Sequence, residues 1–170
     1  MNKVFKMMIL PVLALSLFSC GDNSDTDTVA DYTDYMEYQV YPDEMYSQTA
    51  TKYAIVITNP NCPHCEDIKS YYFNYIDAIN QNDSRCKYDA FYWMYIGFRG
   101  TSTRTKMINI SSSDEGCDVA TIKQKMIDEK VNKIENTYCY GTPSLYVIEN
   151  GYFSDIVVGS SDVAKALALV

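Results

Sequence analysis

The chain is 170 residues long, 47% hydrophobic, and carries a formal charge of −8 at pH 7. That is enough chain for one domain with a real core. The acidic balance argues against nucleic acid as a partner and against electrostatic docking on anionic lipid, while leaving room for positively charged proteins.

The first element is an address. Lys3 and Lys6 form a short positive head, and Met7 to Phe18 is apolar with Pro11 inside. The run is shorter than the roughly 20 residues that span a bilayer as a helix, and it reads as a signal peptide over residues 1–19. Its end, Leu17-Phe18-Ser19-Cys20-Gly21, resembles the lipobox of bacterial lipoproteins, where the cysteine is lipidated and becomes the mature N-terminus. Phe18 departs from the small residue usual there. The alternative is an ordinary cleaved signal with a chance cysteine. Asp, Ser, Thr and Asn then dominate residues 22–31, the composition of a tether. The expected division is a signal peptide over 1–19, a lipidated cysteine and flexible tether over 20–35, and a folded domain over 36–170. The expected location is extracytoplasmic, with the lipid at Cys20 holding the protein on a membrane.

Residues 36–41 alternate as a first strand would, although Tyr32, Tyr35 and Tyr38 also fit a helical turn. Pro42 starts a short helix to about 49. An apolar strand over 53–58 leads into Asn61-Cys62-Pro63-His64-Cys65. A helix over 63–80 follows, with Ile68, Tyr72, Tyr75, Ile76 and Ile79 at helical spacing. Residues 81–88 form a polar loop holding Cys86, and 90–96 an aromatic-rich strand. Arg99, Arg104 and Lys106 lie in a polar stretch to 115 that reads as a solvated loop rather than a binding patch. Asp118 caps a helix over 119–136. Strands over 144–149 and 152–158 flank Asn150-Gly151, a strong hairpin signal. A last helix runs through Ala164, Leu167 and Leu169. The order is β-α-β-α-β-β-α. Sixteen tyrosines suit either a sheet with half-wet faces or an adhesive groove.

The cysteine pair stands where a strand hands over to a helix. The first N–H groups of a helix lack internal partners and its dipole favours negative charge there. Both stabilise a thiolate at Cys62. Pro63 suits the first turn, and a protonated His64 adds positive charge. Such surroundings pull a cysteine pKa from about 8.5 into the range of roughly 3.5–7.5. The expected chemistry is thiol–disulfide exchange, with Cys62 the exposed nucleophile and Cys65 the resolving thiol. No cofactor is called for.

The tetrad Cys62-Pro63-His64-Cys65 resembles that of the periplasmic disulfide oxidases of the Dsb type. Gly141-Thr142-Pro143-Ser144, just before a strand, is a second mark of the thioredoxin-fold oxidoreductases. The resemblance covers about residues 50–170. It implies an α/β, thioredoxin-like fold, with a central mixed sheet flanked by helices. It further implies protein thiol or disulfide substrates, a redox partner that recharges the site, and a cis Pro143 facing the cysteines. Thr142 beside it would hydrogen-bond an extended substrate. Two departures stand out. The segment 97–118 is too short for the helical domain that the disulfide oxidases insert. The buried acid that many members carry six residues before the first cysteine is Val56 here. Glu66 and Asp67 read as solvated carboxylates of the first helical turn. His64 points to oxidation or isomerisation, whereas the compact size is common among extracytoplasmic reductases.

Two rival readings remain. Cys62, His64 and Cys65 could hold copper or zinc, with Cys139, a carboxylate or a second chain completing the set; no second Cys-x-x-Cys is present. Alternatively, the fold is a non-catalytic binding domain with a structural Cys62–Cys65 bridge. Cys86, Cys117 and Cys139 suggest one structural disulfide and one further thiol. Cys86–Cys117 is the preferred pairing. Cys139 is a third redox cysteine, a buried small residue or half of a bridge.

Overall fold

The computed structural model describes residues 30–59, 61–96, 106–110 and 118–170. The signal peptide, Cys20, Arg99, Arg104 and Cys117 lie outside them. The elements are β1 (Lys52–Thr58), α1 (Pro63–Glu66), α2 (Lys69–Asn80), β2 (Ala90–Tyr95), β3 (Ile108–Asn109), α3 (Val119–Asp128), β4 (Tyr138–Cys139), β5 (Ser144–Glu149), β6 (Tyr152–Val158) and α4 (Ser160–Leu167).

β1 is apolar from Tyr53 to Ile57 and wholly buried there, as an inner strand must be. It pairs in parallel with β2 and antiparallel with β5, and β5 pairs antiparallel with β6. The result is a mixed four-stranded sheet in the order β2-β1-β5-β6. Successive strand side chains point to opposite faces. Tyr53, Ile55 and Ile57 therefore join one core, with Ile122 and Met126 of α3, Met45, Val131 and Ile134. Ala54 and Val56 join the other, with Tyr72, Phe73, Tyr75 and Ile76 of α2, Val163 and Leu167 of α4, and Tyr32. Each large apolar side chain so buried contributes roughly 1.5–3 kcal/mol. The fold is α/β with helices on both faces of a mixed sheet, the thioredoxin-like arrangement that the resemblance implies.

Several expected elements are shorter or different. Residues 36–41 are not a strand. Tyr32–Tyr38 is a 3-10 helix, capped by Asp31 and Asp34. Three residues per turn put Tyr32, Tyr35 and Tyr38 in one row. Tyr32 is buried and Tyr35 stacks on Phe73, so packing begins before the expected boundary at 36. The helix expected over 42–49 shrinks to Pro42–Glu44. The helix expected over 63–80 breaks after Glu66, where Ile68 leaves helical geometry (φ −117, ψ 6).

The helix expected over 119–136 stops at Asp128. There the Lys130 N–H reaches the Ile127 carbonyl and the Val131 N–H the Met126 carbonyl, with Lys130 left-handed at φ 49. That is a Schellman ending, closed by contact between the two flanking apolar residues, Met126 and Val131. Asp118 caps the start, as expected, by accepting from the Thr121 N–H at 3.0 Å. The hairpin turn also falls as expected, with positive φ at Asn150 and Gly151.

The tyrosines fit neither expected use well. Tyr53, Tyr72, Tyr75 and Tyr146 are core residues, 0 to 1% exposed. Their rings fill volume, and most of their hydroxyls find partners, which is how a buried tyrosine is tolerated. Tyr53 donates to the Met45 carbonyl (3.0 Å) and Tyr146 to the Tyr138 carbonyl (2.8 Å).

Candidate active site

Antiparallel pairing explains why the two sequence marks meet. Ile57, near the end of β1, lies opposite Ser144, the first residue of β5. The chain leaving β1 carries the cysteines, and the chain entering β5 carries Thr142-Pro143. The Thr142–Pro143 bond is cis, as the resemblance implies. Its loop is held by Ser144 Oγ donating to the Gly141 carbonyl (2.9 Å) and by the Gly159 N–H donating to the Pro143 carbonyl (3.0 Å).

Cys62 is the N-cap of α1, in extended geometry (φ −102, ψ 108), and Pro63 fills the first helical position. The Cys62 carbonyl accepts from the Cys65 and Glu66 N–H groups at 3.0 and 3.2 Å. Its thiol donates to the Thr142 carbonyl at 3.6 Å. Cys62 is half-buried and Cys65 fully buried. The two thiols touch, and neither is in a disulfide.

Their electrostatics diverge. Burial pushes the Cys62 thiol up, but hydrogen bonds from the Cys65 thiol, the Thr142 side chain and the N–H groups of Cys65 and His64 outweigh it, so the pKa is lowered. The Cys65 pKa is raised, first by burial and then by the contact with Cys62, against hydrogen bonds from Thr58, the Asn59 backbone and Thr142. The direction at Cys62 is the one the sequence suggests. The contribution of His64 to it is a backbone N–H. Its imidazole is 73% exposed, with Nδ1 3.8 Å from Asp67. Glu66 sits 2.8 Å from Lys69 on the surface. Among the described residues no three His, Cys, Asp or Glu side chains cluster as a metal would require.

The remaining cysteines stand apart. Cys86 packs with the α2 side of the sheet and Cys139 with the α3 side, so the sheet separates them. Cys86 is a thiol whose pKa is raised by burial. Cys117, the expected partner of Cys86, lies outside the described residues. Cys139 is buried, 3% exposed, beside Met126, Val131 and Ile134. Lys106, expected to be solvated, forms a surface ion pair with Asp43 at 2.6 Å.

Three hydroxyls near Cys65 escaped the sequence reading. Thr58 is wholly buried and lies 2.9 Å from the Tyr32 hydroxyl. The Tyr72 hydroxyl is also buried close by. Thr58 shares a β1 face with Val56, but nothing in the local sequence says that Tyr32 and Tyr72 converge on it.

No family model matches the chain, and no curated protein matches it significantly. Among solved structures it is similar to oxidized mitochondrial thioredoxin 3 from Saccharomyces cerevisiae, at 12% identity and a TM-score of 0.40, over 78% of this chain and 92% of that one. Plasmodium falciparum thioredoxin aligns at 13% identity and 0.36, over 74% and 86%. Chlamydomonas reinhardtii thioredoxin f2 aligns at 12% and 0.37, over 76% and 90%. Likenesses this remote carry no weight about the reaction, which has to be read from the residues of this chain.

Proposed function

We propose that the chain is a thiol–disulfide oxidoreductase that exchanges disulfides with protein substrates through Cys62 and Cys65, outside the cytoplasm, tied to a membrane by lipid at Cys20. The observation that carries the chemistry is the unequal pair. Two thiols touch; one is half-exposed and eased toward its thiolate, the other buried and held as a thiol.

In the reducing direction the Cys62 thiolate attacks a substrate disulfide. A Cys62–substrate bond forms, the substrate S–S bond breaks, and the electron pair leaves on the second substrate sulfur. Cys65 then loses its proton and attacks Cys62 Sγ. The Cys62–Cys65 bond forms and the first substrate sulfur departs with the electron pair, to be protonated. Started from the Cys62–Cys65 disulfide, the same steps in reverse oxidise a substrate dithiol. A redox partner restores the starting state. Pro63 shapes the turn, and the His64 backbone N–H adds to thiolate stabilisation. Thr142 and Pro143 line the side on which substrate docks. The hydrogen bonds on Cys62 favour the reduced form and so move the couple toward oxidising potentials. A potential near about −120 mV makes the protein an oxidant, and near about −270 mV a reductant.

The test is insulin reduction and dithiol oxidation. Cys62→Ser is expected to lose both, and Cys65→Ser to accumulate a mixed disulfide that excess thiol releases. Wild-type rates in Cys62→Ser would overturn the reading. For the anchor, radiolabelled fatty acid should enter the wild-type chain and not Cys20→Ala; equal labelling of the two would remove that part of the proposal.

A further inference from the structure

Behind Cys65 the protein buries hydroxyls rather than a carboxylate. Val56 on β1 is hydrocarbon and wholly buried. One pleat further along the same face of β1, toward the cysteines, stands Thr58, also wholly buried. Its hydroxyl lies 2.9 Å from the Tyr32 hydroxyl and hydrogen-bonds the Cys65 thiol. The Tyr72 hydroxyl, within electrostatic reach of both sulfurs, is buried without a hydrogen-bond partner among the described residues.

A threonine hydroxyl carries one proton and two lone pairs. When Cys65 ionises, its sulfur can only accept. Thr58 must then give its proton to that sulfur, and Tyr32 is the donor placed to satisfy the Thr58 oxygen. We propose that Tyr32 and Thr58 are positioning residues for the resolving step, holding a hydrogen-bond donor on the Cys65 sulfur as it becomes the attacking thiolate. The proposal rests on the oxidoreductase reading of the cysteine pair. The proton lost by Cys65 passes to solvent. The electron pair displaced from the mixed disulfide leaves on the substrate sulfur, which is then protonated. The titratable groups facing Cys65 are Cys62 from α1, Tyr32 from the 3-10 helix and Tyr72 from α2; Glu66 and Tyr95 act on Tyr32 from further out.

The experiment mixes reduced full-length protein with glutathione disulfide, quenches in acid, and follows the Cys62–glutathione adduct by mass spectrometry between pH 5 and 9. Its formation reports Cys62, and its decay to the Cys62–Cys65 disulfide reports Cys65. In Thr58→Val and in Tyr32→Phe the pH profile of decay should rise by about one unit. Decay at pH 7 should slow about threefold, because the less acidic thiol is also the better nucleophile. Formation should be unchanged. Thr58→Ser should restore decay, and adding Tyr32→Phe to Thr58→Val should slow it no further. A wild-type decay profile in Thr58→Val overturns the proposal. So does an equal fall in formation and decay, which would mark a merely structural residue. A wild-type adduct that forms and never decays would instead sink the oxidoreductase reading itself.

Discussion

At Cys62, burial opposes ionisation and hydrogen bonding favours it, and the hydrogen bonds win. Cys65, one helical turn on, receives such bonds too, but its full burial and the neighbouring Cys62 prevail. The sign follows directly. A lowered pKa gives Cys62 a larger thiolate share at neutral pH than an unstructured cysteine, whose pKa is about 8.5. Alkylation of Cys62 by iodoacetamide should therefore have its pH midpoint below that of the same cysteine in the urea-unfolded chain, and Cys65 should react more slowly throughout. Peptide mass mapping of each site against pH checks this; equal rates with an unfolded-like midpoint would contradict it. The pair was legible in the sequence because its spacing is local and its neighbours are local too. Thr58 and Tyr32 were not, because they are 26 residues apart and meet only after the 3-10 helix folds back over β1.

Among the elements, the strands of the main sheet were read well, whereas the strand expected over 36–41, the short pair β3 and β4, and the helix ends were not. β1, β5 and β6 announce themselves through apolar runs and through Asn150-Gly151. The end of α3 carries no such signal, since Lys130 occupies the left-handed position where glycine is the usual choice. Lys130 is exposed and sits at φ 49, so it bears a steric cost that glycine would not. Lys130→Gly should stabilise the protein by about 0.5–1 kcal/mol, read as a higher urea midpoint at unchanged slope. A lower midpoint would mean that the Lys130 side chain makes a stabilising contact. The α2 end uses the same geometry with Asn82 at φ 56, a residue better suited to it.

Across the whole molecule, tyrosine is the recurring core residue. Burial holds the hydroxyls of Tyr32, Tyr46, Tyr72 and Tyr146 well above their ordinary pKa and pushes Tyr53 up to about 12. In the unfolded chain these groups titrate near pH 10. Above that pH the folded state binds more protons than the unfolded one, so stability falls as pH rises. Each such group adds up to about 1.4 kcal/mol per pH unit to the slope. Urea midpoints should thus hold steady up to about pH 9 and drop steeply between about pH 10 and 11; a flat profile there would mean that the hydroxyls reach water. The α/β class, the strand-to-helix seat of the cysteines and the Thr-Pro turn are written locally, because periodicity and short motifs act over a few residues. It takes the folded chain to bring Thr142 to Cys62, to set the sheet between Cys86 and Cys139, and to gather tyrosine hydroxyls behind Cys65. Those contacts join strands and helices far apart in the chain, and no local pattern encodes which face of the sheet each will share.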